Sequence, residues 1–451
     1  MSQEKSSFRG LVPLLIFIFI YLGTGCYLQF TGTEMAFYQL KSPVAIFVGI
    51  ISAFVIFKGS FNENFDNFLK GCGNEDIIIM CIVYLLAGAF AQVSSAMGGV
   101  DSAVNFALDY ISPQYIAAGI FVIAGFISTA TGTSVGAIVS LGPIGVGLAE
   151  KSGVSLGLVL AALLGGAIFG DNLSVISDTT IAATRTQGVE MRDKFRVNLM
   201  VAAPAALITI ILLIIFGEPS NFLSPEIGVY GYSTVKILPY ILVLGLSLIG
   251  MNVFFVLTIG ILSAGFLGLI LVPNFSLLVL SENIYTGFLN MTEIFLLSFL
   301  TGGLAQMVKT AGGINWLIKK IQTMISGKKS ALIGIGVLVG LVDMAVANNT
   351  VAIIINGPIA KKISDKYQVD PRKTATILDI FSCVAQGLIP YGAQMLILIG
   401  FAKGAVNFFD ILPFLWYQGL LFVLTILSIF IPFADYYIKK YPWNFEKGKA
   451  E

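Results

Sequence analysis

Residues 331–360 read ALIGIGVLVGLVDMAVANNTVAIIINGPIA, and basic residues bound them on both sides. Lys328 and Lys329 precede the run; Lys361, Lys362, Lys366, Arg372 and Lys373 follow it. Cations flanking an apolar segment mark the cytoplasmic side of a membrane. A single crossing cannot start and finish on one side, so this run is predicted to enter the bilayer and turn back. Half of it is ~15 residues, or ~22 Å of helix, enough to reach the bilayer middle. The polar stretch Asp343-Met-Ala-Val-Ala-Asn348-Asn349-Thr350 marks the turn.

The rest of the chain has the same character. Of 451 residues, 57% are hydrophobic and 11% charged, against roughly 25% charged in soluble domains. Apolar runs recur at about 11–30, 43–57, 77–97, 114–149, 155–183, 198–217, 232–249, 252–272, 291–308, 374–402 and 410–433. A helix needs ~20 apolar residues to span a bilayer, so the chain reads as an all-α, polytopic membrane protein. Lys5 and Arg9 precede the first run as in a signal peptide, but no Ala-x-Ala-like site follows, and a retained span is expected.

Several functions are excluded. A net charge of +1 leaves no basic surface for nucleic acid. Histidine is absent, which removes His-ligated zinc, His-based triads and the His-Glu-x-x-His protease site. The four cysteines form no Cys-x-x-Cys pair. Gly327-Lys328-Lys329-Ser330 lacks Walker A spacing, so no nucleotide site is expected, and neither an ATP-driven pump nor an enzyme is indicated.

The two halves resemble each other. Gly88-Ala-Phe-Ala-Gln92 with Gly98-Gly99 matches Gly302-Gly-Leu-Ala-Gln306 with Gly312-Gly313, 214 positions on. Gly142-Pro143 matches Gly357-Pro358, 215 positions on. The repeat makes 114–149 a second hairpin, so each copy (1–218 and 219–451) holds about five spans and one hairpin. An odd span count turns the second copy upside down. Loop charges agree: 184–197, with Arg185, Arg192, Lys194 and Arg196, reads as a cytoplasmic loop, and 218–236, with Glu218 and Glu226, as an outer one. Both termini are then cytoplasmic, and 312–326 reads as an amphipathic interfacial helix.

Broken helices in lipid are tolerated where they line a cavity or pack in protein, and inverted repeats with such breaks are a common transporter plan, with the site at the midplane. Polar interruptions are therefore the candidate site. Thr131, Thr133 and Ser134 lie at one predicted tip; Asn348, Asn349 and Thr350 lie at the other. Hydroxyls, amides and freed carbonyls are hard oxygen ligands suited to sodium. The densest signal is Gly170-Asp171-Asn172-Leu-Ser174-Val-Ile-Ser177-Asp178-Thr179-Thr180. Carboxylates at membrane depth mark ion or proton paths. Its repeat mate carries Asp379, Ser382, Gln386, Pro390 and Gln394, with Gln386 in register with Asp171. Pro390 should break that helix. Asp178 could instead pair with Arg185, and Asp379 with Arg372 or Lys373.

The Gly170–Thr180 motif resembles the Gly-Asp-x-x-Ser-x-x-Ser-Asp-Thr-Thr signature of the NhaC-type sodium/proton antiporter family, and the plan as a whole resembles the wider ion transporter superfamily. The following Thr184-Arg185-Thr-Gln-Gly188 is similar to a branch that includes proposed amino-acid transporters. The resemblance implies a secondary antiporter of a cell (inner) membrane, and suggests a homodimer. Sodium and protons would be cargo or coupling ions, with no other cofactor. Burial holds a proton on an Asp, whereas a nearby cation displaces it. Asp171 is the expected switch, with Asp178 or Asp379 assisting and Asp171, Thr133 and Asn348 as sodium ligands. The alternative cargo is an amino acid or small organic acid, coupled to sodium or protons and held by the same tips with Gln386 and Gln394.

Overall fold

The computed structural model describes residues 6–31, 33, 39–175, 177–219, 231–249, 251–445 and 449–450. The first half contains α1 (Val12–Phe30), α2 (Ser42–Ile56), α3 (Phe61–Cys72), α4 (Glu75–Ala96), α5 (Gly99–Tyr110), α6 (Ile116–Thr131), α7 (Ser134–Ser152), α8 (Leu156–Leu173), α9 (Asp178–Gln187) and α10 (Met191–Ile215). The second half follows a similar order, with an additional short helix, α20. It contains α11 (Thr234–Leu248), α12 (Val253–Leu271), α13 (Leu277–Asn290), α14 (Thr292–Thr310), α15 (Gly313–Gln322), α16 (Lys328–Val346), α17 (Asn349–Tyr367), α18 (Pro371–Leu388), α19 (Ala393–Phe401), α20 (Phe408–Ile411) and α21 (Trp416–Phe430). A short helix, α22 (Tyr436–Lys440), follows, and the sheet among the described residues is the pairing of Trp443–Asn444 with Lys449–Ala450.

The punctuation of the helices repeats with their order. Gly98 opens α5 at φ 79° and Gly312 opens α15 at φ 84°. Gly132 ends α6 at φ 72°, and Ala347 ends α16 at φ 52°, 215 positions on. Thr133 then caps α7 by accepting from the Gly136 N–H at 3.4 Å, and Asn348 caps α17 by accepting from the Val351 N–H at 3.0 Å. Both long runs, 114–149 and 331–360, are thus split into two helices at the predicted tips. α8 stops before Ser174 and α9 starts after Ser177; α18 stops at Leu388 and α19 starts after Gly392. Pro390 falls in that second gap, where its missing N–H costs no helical bond.

Reciprocal contacts join the copies. A Cβ on Gly71 of α3 would strike the Gly302 carbonyl of α14, and one on Gly88 of α4 would strike the Gly287 carbonyl of α13. Both contacts join a helix of one half to a helix of the other. Between them, Ser298 Oγ donates to Tyr84 Oη at 3.3 Å, and these two positions are themselves repeat mates. Glycine lets helices approach this closely, which matters in lipid, where apolar driving force between helices is missing.

Seven helices are long and apolar enough to cross a membrane among the described residues, or nine if each of two bent pairs is one span. Three shorter apolar helices, Val12–Leu28, Ser42–Ile56 and Thr234–Leu246, add to these. Large apolar side chains such as Phe19, Val55, Phe126, Leu262 and Phe266 point outward, as lipid contact requires. The chain is an integral membrane protein.

One reading of the loops is corrected. Residues 184–197 are not a loop: α9 runs to Gln187 and α10 begins at Met191. Lys194 therefore sits inside α10 and is buried, 1% exposed. The outer loop expected at 218–236, with Glu226, falls largely outside the described residues.

Candidate functional site

The two tips and the two helix breaks converge. A cavity of about 660 Å³ is lined by Thr131, Thr133 and Ser134 from the first tip and by Asn348, Asn349 and Thr350 from the second. Asp171, Ser177, Asp178 and Thr179 from the α8–α9 break line it too, as do Gln386 and Gln394 from the α18–α19 break. Asn252, which caps α12, completes the polar wall, and Ile79, Val83 and Phe254 form part of the apolar one. Among the described residues, no lysine or arginine lines the cavity.

Asp171 is the buried end of a hydrogen-bond chain across both copies. Ser134 Oγ donates to Asp171 Oδ2 at 2.8 Å, and Ser177 Oγ donates to Oδ1 at 2.5 Å. Gln394 Nε2 donates to Ser134 Oγ at 3.1 Å, and Gln386 Nε2 donates to Gln394 Oε1 at 2.9 Å. The Ser177 and Thr179 hydroxyls are 2.9 Å apart. One carboxylate thus takes bonds from a hairpin tip and from the break beside it, because α8 unwinds one turn past Asp171. Asp178, the first residue of α9, is exposed at the cavity wall.

Behind this wall lies a second polar cluster. Asp379 pairs with Lys194 Nζ, and both side chains are withdrawn from solvent. Asn172 Nδ2 donates to Asp379 Oδ2 at 2.9 Å. Lys194 Nζ also donates to the Asn172 carbonyl at 2.7 Å and to Thr180 Oγ1 at 2.9 Å. Asn198 Nδ2 donates to the Asn172 carbonyl at 2.7 Å and to Asn172 Oδ1 at 2.8 Å. A buried charge pair needs such further bonds to offset the loss of hydration. Adjacent residues of α8 therefore serve different clusters: Asp171 meets the cavity, and Asn172 meets the ion pair.

Most of the residues singled out in the sequence line the cavity; Asn172, Ser174, Asp379 and Ser382 do not. Ser174 is buried at the break. The cations considered for Asp379 are engaged elsewhere. Arg372 Nη2 pairs with Asp370 Oδ2 at 2.5 Å, and Lys373 Nζ with Asp435 Oδ1 at 2.6 Å. Sequence reasoning missed Lys194 and Asn198, whose four-residue spacing on an apolar helix places both on one face. It also missed Asn252 at a helix cap.

The family model described as the Na+/H+ antiporter family matches residues 4–218 and 220–433. The Na(+)/H(+) antiporter NhaC of Bacillus subtilis (strain 168) is 25% identical, over 96% of this chain and 99% of that protein. The malate-2H(+)/Na(+)-lactate antiporter of the same organism is also 25% identical, over 96% of each. The arginine/ornithine antiporter ArcD of Halobacterium salinarum is 22% identical, over 81% of this chain and 82% of that protein. Matches on both sides of residue 219 take in nearly every helix described above, and the chain belongs to the Na+/H+ antiporter family.

Proposed function

We propose that the chain exchanges sodium ions for protons across the membrane, with Asp171 binding either ion in turn. The observation that carries this reading is the placement of Asp171: a buried carboxylate, fed by two hydroxyls, beside a cavity whose lining holds no cation. A carboxylate can be neutralised by a proton or by a cation, and each displaces the other. Thr133, Asn348 and Ser134 supply neutral oxygens within the same lining, as a hard cation requires. The Lys194–Asp379 pair neutralises the acid behind the cavity and keeps Asp379 out of the exchange. Asp178 at the mouth adds negative charge that draws cations inward.

In this reading the halves 1–218 and 219–451 lie inverted in an inner membrane with both termini cytoplasmic, and the two tips face each other from opposite sides. Alternating access then follows from movement of one bundle against the other around the cavity. A homodimer would provide a fixed partner for such movement. The test is sodium-driven proton movement in proteoliposomes. Asp171→Asn should abolish it while the protein still folds; full exchange by that variant would sink the proposal.

A second reading rests on the cavity's size. About 660 Å³ far exceeds a bare ion and falls in the ~300–1,000 Å³ range of small-molecule sites. Its apolar wall and the Gln386–Gln394 pair suit an organic solute. Two relatives are named for lactate and malate or for arginine and ornithine. Uptake of a labelled panel of amino acids and hydroxy acids separates the readings. Saturable uptake of one solute, with no cation–proton exchange in its absence, favours the second.

A further inference from the structure

Asp343 lies in the last turn of α16, four residues before the tip residue Ala347, and neither the cavity nor the Lys194 cluster uses it. It is fully buried, and neither carboxylate oxygen has a hydrogen-bond partner among the described residues. An ionised carboxylate buried without a protein partner is costly in a folded protein.

The described residues on the helices packed against α16 supply no countercharge. α16 packs against α14, α15, α17, α18 and α21. On α18, Asp379 is held by Lys194, Arg372 by Asp370, and Lys373 by Asp435, while the Cys383 thiol donates to Asp379. On α17, Lys361, Lys362, Asp365 and Lys366 are exposed in the last two turns, and Tyr367 donates to the Ile325 carbonyl. Lys319 and Lys320 of α15, and Glu293 and Lys309 at the ends of α14, are exposed as well. The titratable group of α21 is Tyr417. The hydroxyl of Tyr391, in the α18–α19 break, donates to the Met344 carbonyl at 2.7 Å.

The internal repeat gives an independent indication of what this position requires. The mate of Asp343, 215 positions earlier, is Ser128, which is fully buried in the last turn of α6. Its hydroxyl donates to the Ala167 carbonyl of α8 at 2.6 Å. The first copy therefore places a hydrogen-bond donor here, aimed at the neighbouring long helix. An aspartate can act as a donor only in its acid form.

We propose that Asp343 is a second proton-binding site, loaded in this conformation and emptied when the second tip opens to water. The step is a simple ionisation: the carboxylic acid gives its proton to water and is left as a solvated carboxylate. The tip is built for such a change. Ala347 holds a left-handed conformation at φ 52°, which is strained for a residue other than glycine. The Ala347 N–H also donates back to the Asp343 backbone carbonyl at 2.6 Å, which ties the tip to the residue that carries the acid. This adds a second carrier to the antiport reading above and rests on it for its role in exchange.

The experiment uses the full chain reconstituted in vesicles, with infrared difference spectra between wild type and variants at neutral pH. Asp343→Asn should remove a protonated-carboxyl C=O stretch that Asp171→Asn leaves in place. Asp343→Ser, which installs the residue of the first copy, should remove the same band and guards against a variant that fails to fold. In the same vesicles both Asp343 variants should move fewer protons per sodium ion than wild type. A spectrum unchanged by either variant overturns the proposal, as does an unchanged proton-to-sodium ratio. Absence of sodium–proton exchange in the wild type would instead overturn the antiport reading, while the infrared band would still report whether Asp343 holds a proton.

Discussion

Lys194 and Asp379 stand 185 positions apart in the chain and meet as an ion pair with 1% and 0% of their side chains exposed. The contact clamps α10 to α18 directly behind the broken helix that carries Asp171. Removing one member of a buried pair strands the other, which typically costs ~3–5 kcal/mol, whereas replacing both by apolar residues costs far less. Lys194→Met alone should therefore lower the thermal unfolding midpoint in detergent markedly. Lys194→Met combined with Asp379→Leu should recover much of that loss. Additive losses in the double variant would show that the two side chains are not coupled.

Ser134 is the link between the first hairpin tip and Asp171. Its hydroxyl donates to the carboxylate and accepts from Gln394. A hydrogen bond to a charged group is worth ~1.5–3 kcal/mol. Ser134→Ala should weaken sodium dependence by about tenfold, since ~1.4 kcal/mol corresponds to that factor. Gln394→Ala, one bond further away, should do less. The sodium concentration giving half-maximal exchange reports both; equal effects would argue against a chain centred on Asp171.

The two tips should respond oppositely to small substitutions. Ala347 occupies the left-handed conformation that glycine occupies in the first copy. Ala347→Gly should stabilise the protein, and Gly132→Ala should destabilise it, each by about 1 kcal/mol. Thermal melts decide the matter. A loss of stability in Ala347→Gly would mean that the methyl group packs more favourably than the backbone strain costs.

Gly71 and Gly88 each face a carbonyl of the opposite copy, Gly302 and Gly287 respectively. A methyl group at either position must push backbone apart rather than a flexible side chain. Gly71→Ala and Gly88→Ala should therefore both lower stability, and by similar amounts, because the repeat relates the two contacts. Gly119→Ala, inside α6 with open space around it, is the control and should leave stability unchanged or raise it slightly. Indifference of one glycine and not the other would break the symmetry inferred here.

Burial raises the thiol of Cys72, at the end of α3, to about 11. Its thiolate is thus scarce until the pH approaches that value, well above the ~8.5 of a free thiol. Maleimide labelling of Cys72 in the folded protein should lag behind labelling of the denatured chain at pH 8, and the gap should close as pH rises toward 11. Labelling at equal rates at pH 8 would mean that this end of α3 is open to water.

Much of the architecture was legible in the chain because the forces that write it are local. Apolar run length sets a helix in lipid. Gly132, Thr133, Pro390 and Asn348 stop or start helices through their own backbone and side-chain chemistry. The repeat then lets each half be read against the other. The cavity-lining groups Asp171, Ser134 and Asn348 followed, since a polar break in an apolar run has few tolerable places to go.

Sequence alone thus determined where the helices lie, where they break, and that acids and hydroxyls gather at the breaks. Only the tertiary structure decided which of those groups meet. Lys194 reads as a loop cation by charge counting, yet the rotation of α10 against α18 turns it inward onto Asp379. Asp171 and Asn172 are neighbours in the chain, but the end of α8 sends one to the cavity and the other to the ion pair. Asp343 is left without a partner by the same packing. Such pairings depend on how helices far apart in the chain are turned toward one another, and no local pattern encodes that rotation.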